Sequence, residues 1–408
     1  MRKHSGEHPR MGATDVCPLI PVSEVTMAEC IELSKKLAKR VGEELQIPVY
    51  LYEESSDLKY RKNLSDIRKG EYEALEEKLK KNKWKPDYGP LEMNKAAGAT
   101  AIGARNFLVA YNINLNTRDK KIATDIALDI REAGRAKRDK NGKILRKKDG
   151  SMIKVPGTLK STKAVGWYID EYKKAQVSMN LTNFKITSIQ DAFEEVRKQA
   201  NKRGVRVTGS EIVGLVPKES LLRAGLYYLH KQSRSTAIPE NEIIDIAIDT
   251  LGLNELSEFN QESSIIENRI KSSNRLIDLK VDEFANEVSS ESPAPGGGSV
   301  SALAGALASS LVSMVSNLSF GKKDYEDNRD LIEEIGIKGQ KIKDCLLEIV
   351  DEDTRAFDAI MTAFRMKKKT PEEEKYRLAQ IQLATKYAIN VPLSTMELSL
   401  DALSLSKK

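Results

Sequence analysis

Four stretches combine residue types that can do chemistry. GEHPRMGATD (6–15) sets His8 between Glu7 and Pro9, with Arg10 and Gly12 close behind and an apolar segment next. An imidazole titrates near neutrality, so it can take a proton and return it. Arg10 could hold a carboxylate through its two-pronged guanidinium. On the residues alone the signal is weak, because a histidine in a polar loop is usually only a surface residue. WKPDYGPLEMNKAAGATAIGAR (84–105) is rich in Gly, Pro and Ala and could lie close against a flat ligand. The other reading is a plain connection, although loops this long are uncommon in a compact domain without a function.

SPAPGGGSVSALAGALASSLVSMVSNLSFG (292–321) contains no charged residue. Its length would permit a membrane helix, but seven serines between Ser299 and Ser319 make it too polar for a comfortable span. Small residues instead allow close packing in a bundle or subunit interface. The leading Gly296, Gly297, Gly298 and Ser299 would bare backbone N–H groups at a helix N-terminus, a natural anion seat; the alternative is a bundle helix with a flexible start. The Gly-Lys-Ser/Thr ending of a phosphate loop is missing. IVDEDTRAF (349–357) places Asp351, Glu352 and Asp353 in a long helical pattern. Successive helical residues point in different directions, so at most one or two of these acids can face a site. A carboxyl facing a bundle interior could act as acid or base; a solvated acidic turn is the other reading.

The elements that would position these residues change character along the chain. From Asp15 to about Leu256, strand and helix patterns alternate. DVCPLIPV (15–22) reads as a strand, Thr26 and Glu29 as a capping box, and the next helix carries Ile31, Ser34, Leu37, Ala38, Val41 and Leu45 on one face. VYLYE (49–53) is a second strand, and a charged helix spans about 64–80. FLVAYNINL (107–115) is a strand followed by a helix over 118–133. AVGWYID and AQVSMNL form a hairpin, 189–202 a helix, and EIVGLVP a closing strand. Open sheets covered by helices, split near Asn106 into two lobes, account for this order. After a polar linker, 257–275, only long helices remain, at about 278–289, 299–320, 324–368 and 371–405, and their packing would make a bundle. The expected fold class is therefore α/β (α+β) followed by an all-α bundle, with regions 1–106, 107–256, 257–275 and 276–408.

At 408 residues, two or three domains of ~150 residues are expected. Apolar residues at 40% and charged residues at 31% are enough for a solvated globular protein. Three Cys and three His lack the spacing of a disulfide framework or a metal centre, so no metal is expected. MRKHSGEHPR has no apolar run and does not read as a signal peptide, which points to a cytoplasmic setting. The net charge of +6 is local: residues 135–163 carry eleven Lys or Arg against two Asp, leaving about −3 elsewhere. Asn141-Gly142 and Asp149-Gly150 mark turns there. The segment is either a solvated hairpin or an electropositive lip for an anionic ligand. It lacks aromatic residues, which argues against stacked single-stranded nucleic acid.

Taken together, these strings resemble one family along nearly the whole chain. GEHPRMGATDVCPLIPV, GARNFLVAYNINL, VGWYIDEYKKAQVSMNL and EIVGLVP are similar to glutamate formimidoyltransferase; SPAPGGGSVSALAGALASSLVSMV and IVDEDTRAF are similar to formimidoyltetrahydrofolate cyclodeaminase. Their order matches the fused formimidoyltransferase-cyclodeaminases. The resemblance implies transfer of a formimidoyl group from N-formimidoyl-L-glutamate to tetrahydrofolate in histidine degradation. It further implies cyclisation of the product to 5,10-methenyltetrahydrofolate with loss of ammonia. It makes His8 the catalytic histidine and Asp353 the cyclodeaminase acid. The folate-binding loop would be Gly89, Pro90, Leu91, Glu92, Met93, Asn94, Lys95, Ala96, Ala97 and Gly98. Tetrahydrofolate would be the carrier substrate, and a homo-oligomer through the helical domain is expected, with no nucleic-acid or membrane partner. Against the family pattern, a preceding β-α-β portion and the last helices are missing, so truncation at both ends is expected. The alternative is a folate-binding or assembly fragment without turnover.

Overall fold

The computed structural model describes residues 9–22, 25–270 and 275–408. It divides into two compact units. One runs to Pro217 and includes Ser263–Glu267; the other comprises Lys218–Glu262 and Asn268–Lys408.

The first unit begins with a small parallel sheet. Strand β1 (Val16–Leu19), helix α1 (Met27–Glu44) and strand β2 (Val49–Leu51) follow the expected order, and Thr26 and Glu29 form the capping box of α1. The face of α1 that is buried consists of Cys30, Ser34, Ala38 and Gly42, while Leu45 is exposed. Strand β3 (Thr100–Ala104) lies between β1 and β2, parallel to both, and all its residues are buried. Sequence patterning missed β3: TAIGA offers little apolar bulk, and its Ala and Gly residues are what allow helix and neighbouring strands to crowd a central position. The expected charged helix over 64–80 is two short turns, Leu64–Arg68 and Leu75–Leu79, broken at Gly70 with φ +89°.

The second lobe is an antiparallel sheet. Strands β4 (Val109–Leu115), β5 (Thr162–Ile169), β6 (Lys174–Leu181) and β7 (Val207–Val213) lie in the order β5-β6-β4-β7. One face, with Tyr111, Ile113, Leu115, Val177, Met179 and Leu181, is buried. Helices α2 (Lys120–Ile130) and α3 (Ile189–Asn201) pack there with Ala123, Ile126, Ile130, Phe193 and Val196. The chain leaves the sheet at Gly214 (φ +83°), so only the first part of EIVGLVP is strand. Between α2 and β5 the basic segment folds as predicted around Gly142 and Gly150, both at positive φ. Its three short limbs are tied by a ring of backbone bonds: Lys137 N–H to Ile153 O, Leu145 N–H to Lys137 O, and Ile153 N–H to Leu145 O (2.8, 2.8 and 2.9 Å).

The second unit is helical: α4 (Lys218–Lys231), α5 (Glu240–Leu251), α6 (Val281–Val288), α7 (Gly297–Ser319), α8 (Arg329–Arg365) and α9 (Pro371–Leu405). Helices α4 and α5 precede the expected boundary at 256, yet they group with the C-terminal helices. The loop between them is the reason. Thr236 donates from N–H and Oγ1 to Glu333 (2.9 and 2.7 Å), and Asn317 Nδ2 donates to Ala237 O (2.7 Å). Helix α7 buries its small residues Ser299, Ala302, Ala306, Ser309, Ser313 and Ser316. Ser313 Oγ donates to Gly336 O of α8 at 3.0 Å, closing a seam too narrow for larger side chains.

In the first unit, residues 10–13 are stitched to 97–99. Ala99 N–H donates to Met11 O (3.0 Å), Ala13 N–H to Ala97 O (2.7 Å), and Gly12 bridges Gly98. Gly98 has φ +75°, and a Cβ there would overlap the Met11 carbonyl. Gly98→Ala is therefore expected to destabilise the first unit by roughly 2–4 kcal/mol, combining backbone strain with broken hydrogen bonds. Gly142→Ala, also at positive φ but in open space, should cost only about 1 kcal/mol. Denaturant midpoints of the two variants check the difference.

Candidate functional site

The first candidate site gathers around that stitched segment. His8 lies outside the described residues; Arg10, Met11 and Gly12, which follow it, are held against the 89–98 loop. Tyr72 N–H donates to Arg10 O (2.9 Å), and Met11 N–H donates to Asp15 Oδ1 (2.7 Å). The loop is shaped from within. Asn94 Oδ1 accepts from Ala96 and Ala97 N–H, Asn94 Nδ2 donates to Gln46 O, and Tyr72 Oη donates to Lys95 O. Gly89 (φ +84°), Leu91, Glu92, Lys95 and Ala96 are exposed, whereas Pro90, Met93, Asn94 and Ala97 are half-buried and Gly98 is buried. The structure thus brings the chain next to His8 together with the predicted loop.

Arg10 departs from expectation. Its fork is closed on Glu73, with Nη1 and Nη2 at 2.9 and 2.6 Å, and Nη1 also reaches Glu71 at 2.9 Å. These carboxylates sit on the turn after Gly70, so Arg10 braces the segment rather than offering an open fork to a substrate carboxylate.

The other end of β2 carries a second group of charges. Glu53 follows the strand at φ +51°, an uncommon conformation for a side-chain-bearing residue. Burial pushes its carboxyl up, against the pull of Lys163. Lys163 Nζ itself donates to Asn63 Oδ1 (2.8 Å).

Sequence reading also missed a polar network on the second-lobe sheet, on the face turned away from α2 and α3. Trp167 Nε1 donates to Gln176 Oε1 (2.9 Å), Gln176 Nε2 to Asn114 Oδ1 (2.7 Å), and Asn112 Nδ2 to Glu211 Oε1 (2.9 Å). Asn112, Asn114 and Gln176 are all buried. The available signal was the period-two pattern of YNINL and QVSMN, which puts amides on one face and apolar residues on the other.

The second candidate site lies in the helical unit. The three acids of α8 do point three ways. Asp351 is buried and accepts from Leu276 N–H (2.6 Å). Glu352 faces Tyr387, whose hydroxyl is pushed up by burial and then by that carboxylate. Asp353 meets the start of α7, where Ser299 N–H donates to its Oδ2 at 2.9 Å, while Ser299 Oγ donates to Val350 O at 2.8 Å. The anion seat expected at Gly296–Ser299 is therefore occupied by a carboxylate of the protein itself, which caps α7 in place of a side chain at Gly296. Gly298 is required for this approach, because a Cβ would overlap the Asp353 carboxyl. A cleft of about 220 Å³ opens beside Asp353, lined by Pro293, Ala294, Gly296, Ala356, Phe357, Ile360 and Ala388. Among the described residues no group of three or more His, Cys, Asp or Glu is placed to hold a metal ion.

Comparison with known proteins covers both units. Family models match as "Formiminotransferase domain, N-terminal subdomain" over residues 1–105, "Formiminotransferase domain" over 110–271, and "Formiminotransferase-cyclodeaminase" over 280–408. The formimidoyltransferase-cyclodeaminase of Dictyostelium discoideum is 44% identical over 404 residues, covering 98% of this chain and 71% of that protein. That of Rattus norvegicus is 40% identical, covering 97% and 71%. Glutamate formimidoyltransferase of Streptococcus pyogenes serotype M1 is 43% identical over 229 residues, 56% of this chain and 69% of that protein. With identity of this level sustained through both kinds of fold, the chain belongs to the formimidoyltransferase-cyclodeaminase family.

Proposed function

We propose that this chain moves the formimidoyl group of N-formimidoyl-L-glutamate to tetrahydrofolate in its first unit. In its helical unit it closes 5-formimidoyltetrahydrofolate to 5,10-methenyltetrahydrofolate, releasing ammonia. The observation that carries the reading is 44% identity across 98% of the chain to a bifunctional relative, with the strings around His8 and Asp353 on separate units. Transfer requires N5 of the folate to attack the amidine carbon. His8 takes the N5 proton as the tetrahedral intermediate forms, then protonates the departing glutamate nitrogen. Arg10 and Gly98 brace the segment that follows His8. Cyclisation requires N10 to attack the same carbon and ammonia to leave. Asp353, which lines its cleft, takes the proton that N10 loses and passes it to the departing ammonia.

The reading extends to histidine degradation in the cytoplasm, with folate and N-formimidoyl-L-glutamate as the partners and no nucleic acid, membrane or metal. The basic limbs at 135–163 suit the glutamate tail of a folate. Helix α7 is by length and composition able to cross a membrane, but its buried stripe is small and polar while Leu307, Leu311, Met314 and Leu318 are exposed. That arrangement favours cover by a second copy of the helical unit, and the full chain is expected to sediment as an oligomer at micromolar concentration.

Release of glutamate follows transfer and methenyl-folate absorbance follows cyclisation, so the two activities are tested separately. His8→Ala should lower product formation from the two substrates by about 100-fold or more, while cyclisation of preformed 5-formimidoyltetrahydrofolate persists. Asp353→Asn should show the reverse, with transfer retained and cyclisation lost. Gly298→Ala should also impair cyclisation, because the displaced Asp353 carboxyl no longer lines the cleft correctly, and a loss of roughly tenfold or more is expected. Unchanged cyclisation in Asp353→Asn would remove the proposed acid.

A further inference from the structure

The polar face of the second-lobe sheet has a feature that its own hydrogen bonding leaves open. A carboxylate only accepts hydrogen bonds. The 2.9 Å contact between Asn112 Nδ2 and Glu211 Oε1 therefore orients the amide, its NH2 towards Glu211 and its carbonyl away. The neighbouring donors are engaged inward, Trp167 Nε1 on Gln176 and Gln176 Nε2 on Asn114. Asn112 Oδ1 and Glu211 Oε2 are left without a hydrogen-bond partner among the described residues, and neither is a sealed, buried atom. Ser178 lies directly opposite Asn112 on β6 and is half-buried. The face thus offers two acceptor oxygens on rigid strands, one from a carboxylate held in place by a buried amide.

This pair selects among the groups that the proposed transfer must hold. The carboxylates of a glutamate moiety would be repelled by Glu211. The 2-amino and N3–H edge of a pterin also presents donors, but it carries no positive charge to offset that of Glu211. A protonated formimidoyl group is a planar cation whose nitrogens carry only donors, so both oxygens can be satisfied at once. We propose that Glu211, positioned by Asn112, binds the amidinium of the formimidoyl donor. The inference rests on the transferase reading. Pairing with a carboxylate favours the protonated amidine, which keeps its carbon electrophilic when N5 attacks. In that step the N5–C bond forms, the bond from carbon to the glutamate nitrogen breaks, and the proton lost from N5 ends on that nitrogen. The group changes carrier as a cation, so the same carboxylate serves it before and after transfer.

Calorimetric titration of the full chain tests this. Glu211→Gln keeps the shape and removes the charge. It should weaken N-formimidoyl-L-glutamate binding roughly tenfold or more, while L-glutamate and tetrahydrofolate dissociation constants stay within about twofold. In the wild type, formamidinium should compete with the donor and neutral formamide should not, a comparison that needs no variant to fold. Equal weakening of L-glutamate, weakening of tetrahydrofolate alone, or failure of formamidinium to compete would each overturn the assignment. The transferase reading fails separately, if the wild type binds the donor as described yet forms no product with tetrahydrofolate.

Discussion

The hydrogen bond from Ala99 N–H to Met11 O joins the start of the described chain to the entry of the central strand of the first sheet. It exists because Gly98 turns with positive φ and carries no Cβ. Thr100–Ala104 then runs between two parallel partners, fully buried. A loop that would otherwise be free is thereby attached at both ends, by Val49 N–H donating to Tyr88 O and by Ala99 N–H donating to Met11 O. Arg10, gripping Glu71 and Glu73, completes the brace. Precision at a loop-borne site comes from such backbone attachment, because side chains alone leave a loop too many conformers.

The helical unit reaches a comparable result by different means. Helices α7 and α8 approach closely because serine, alanine and glycine line the contact, and serine hydroxyls donate to backbone carbonyls across it. Close approach carries the N-terminal turn of α7 to Asp353. The carboxylate then accepts from Ser299 N–H, one of the N–H groups that a helix start leaves without an internal partner. Helix capping and the placement of a candidate acid are here one interaction. The adjacent cleft has Phe357 and Ile360 among its lining residues and Asp353 as its one charged side chain.

The sheet of the second lobe shows how an antiparallel layer divides its labour. Its apolar face is covered by α2 and α3, whose buried Ile126, Ile130 and Val196 match it. Its other face is free to carry amides and a carboxylate without disturbing that core. Asn114 and Gln176 remain fully buried because each amide finds a partner within the network.

The sequence by itself determined the alternation of elements, the hairpin of GWYID and QVSMN, the Thr26–Glu29 cap and the long helices of the second unit. All of these are local or periodic signals that a few neighbouring side chains specify. It also identified the strings around His8 and Asp353, because they resemble one family. Tertiary structure alone decided that TAIGA is a central strand, that Arg10 is held by Glu73, and that Asp353 fills the start of α7. It also decided that Lys218–Leu251 groups with the later helices. Each of these depends on pairs far apart in the chain: a strand of small residues shows its position only through its neighbours, and a charged side chain shows its role only through the partner that reaches it.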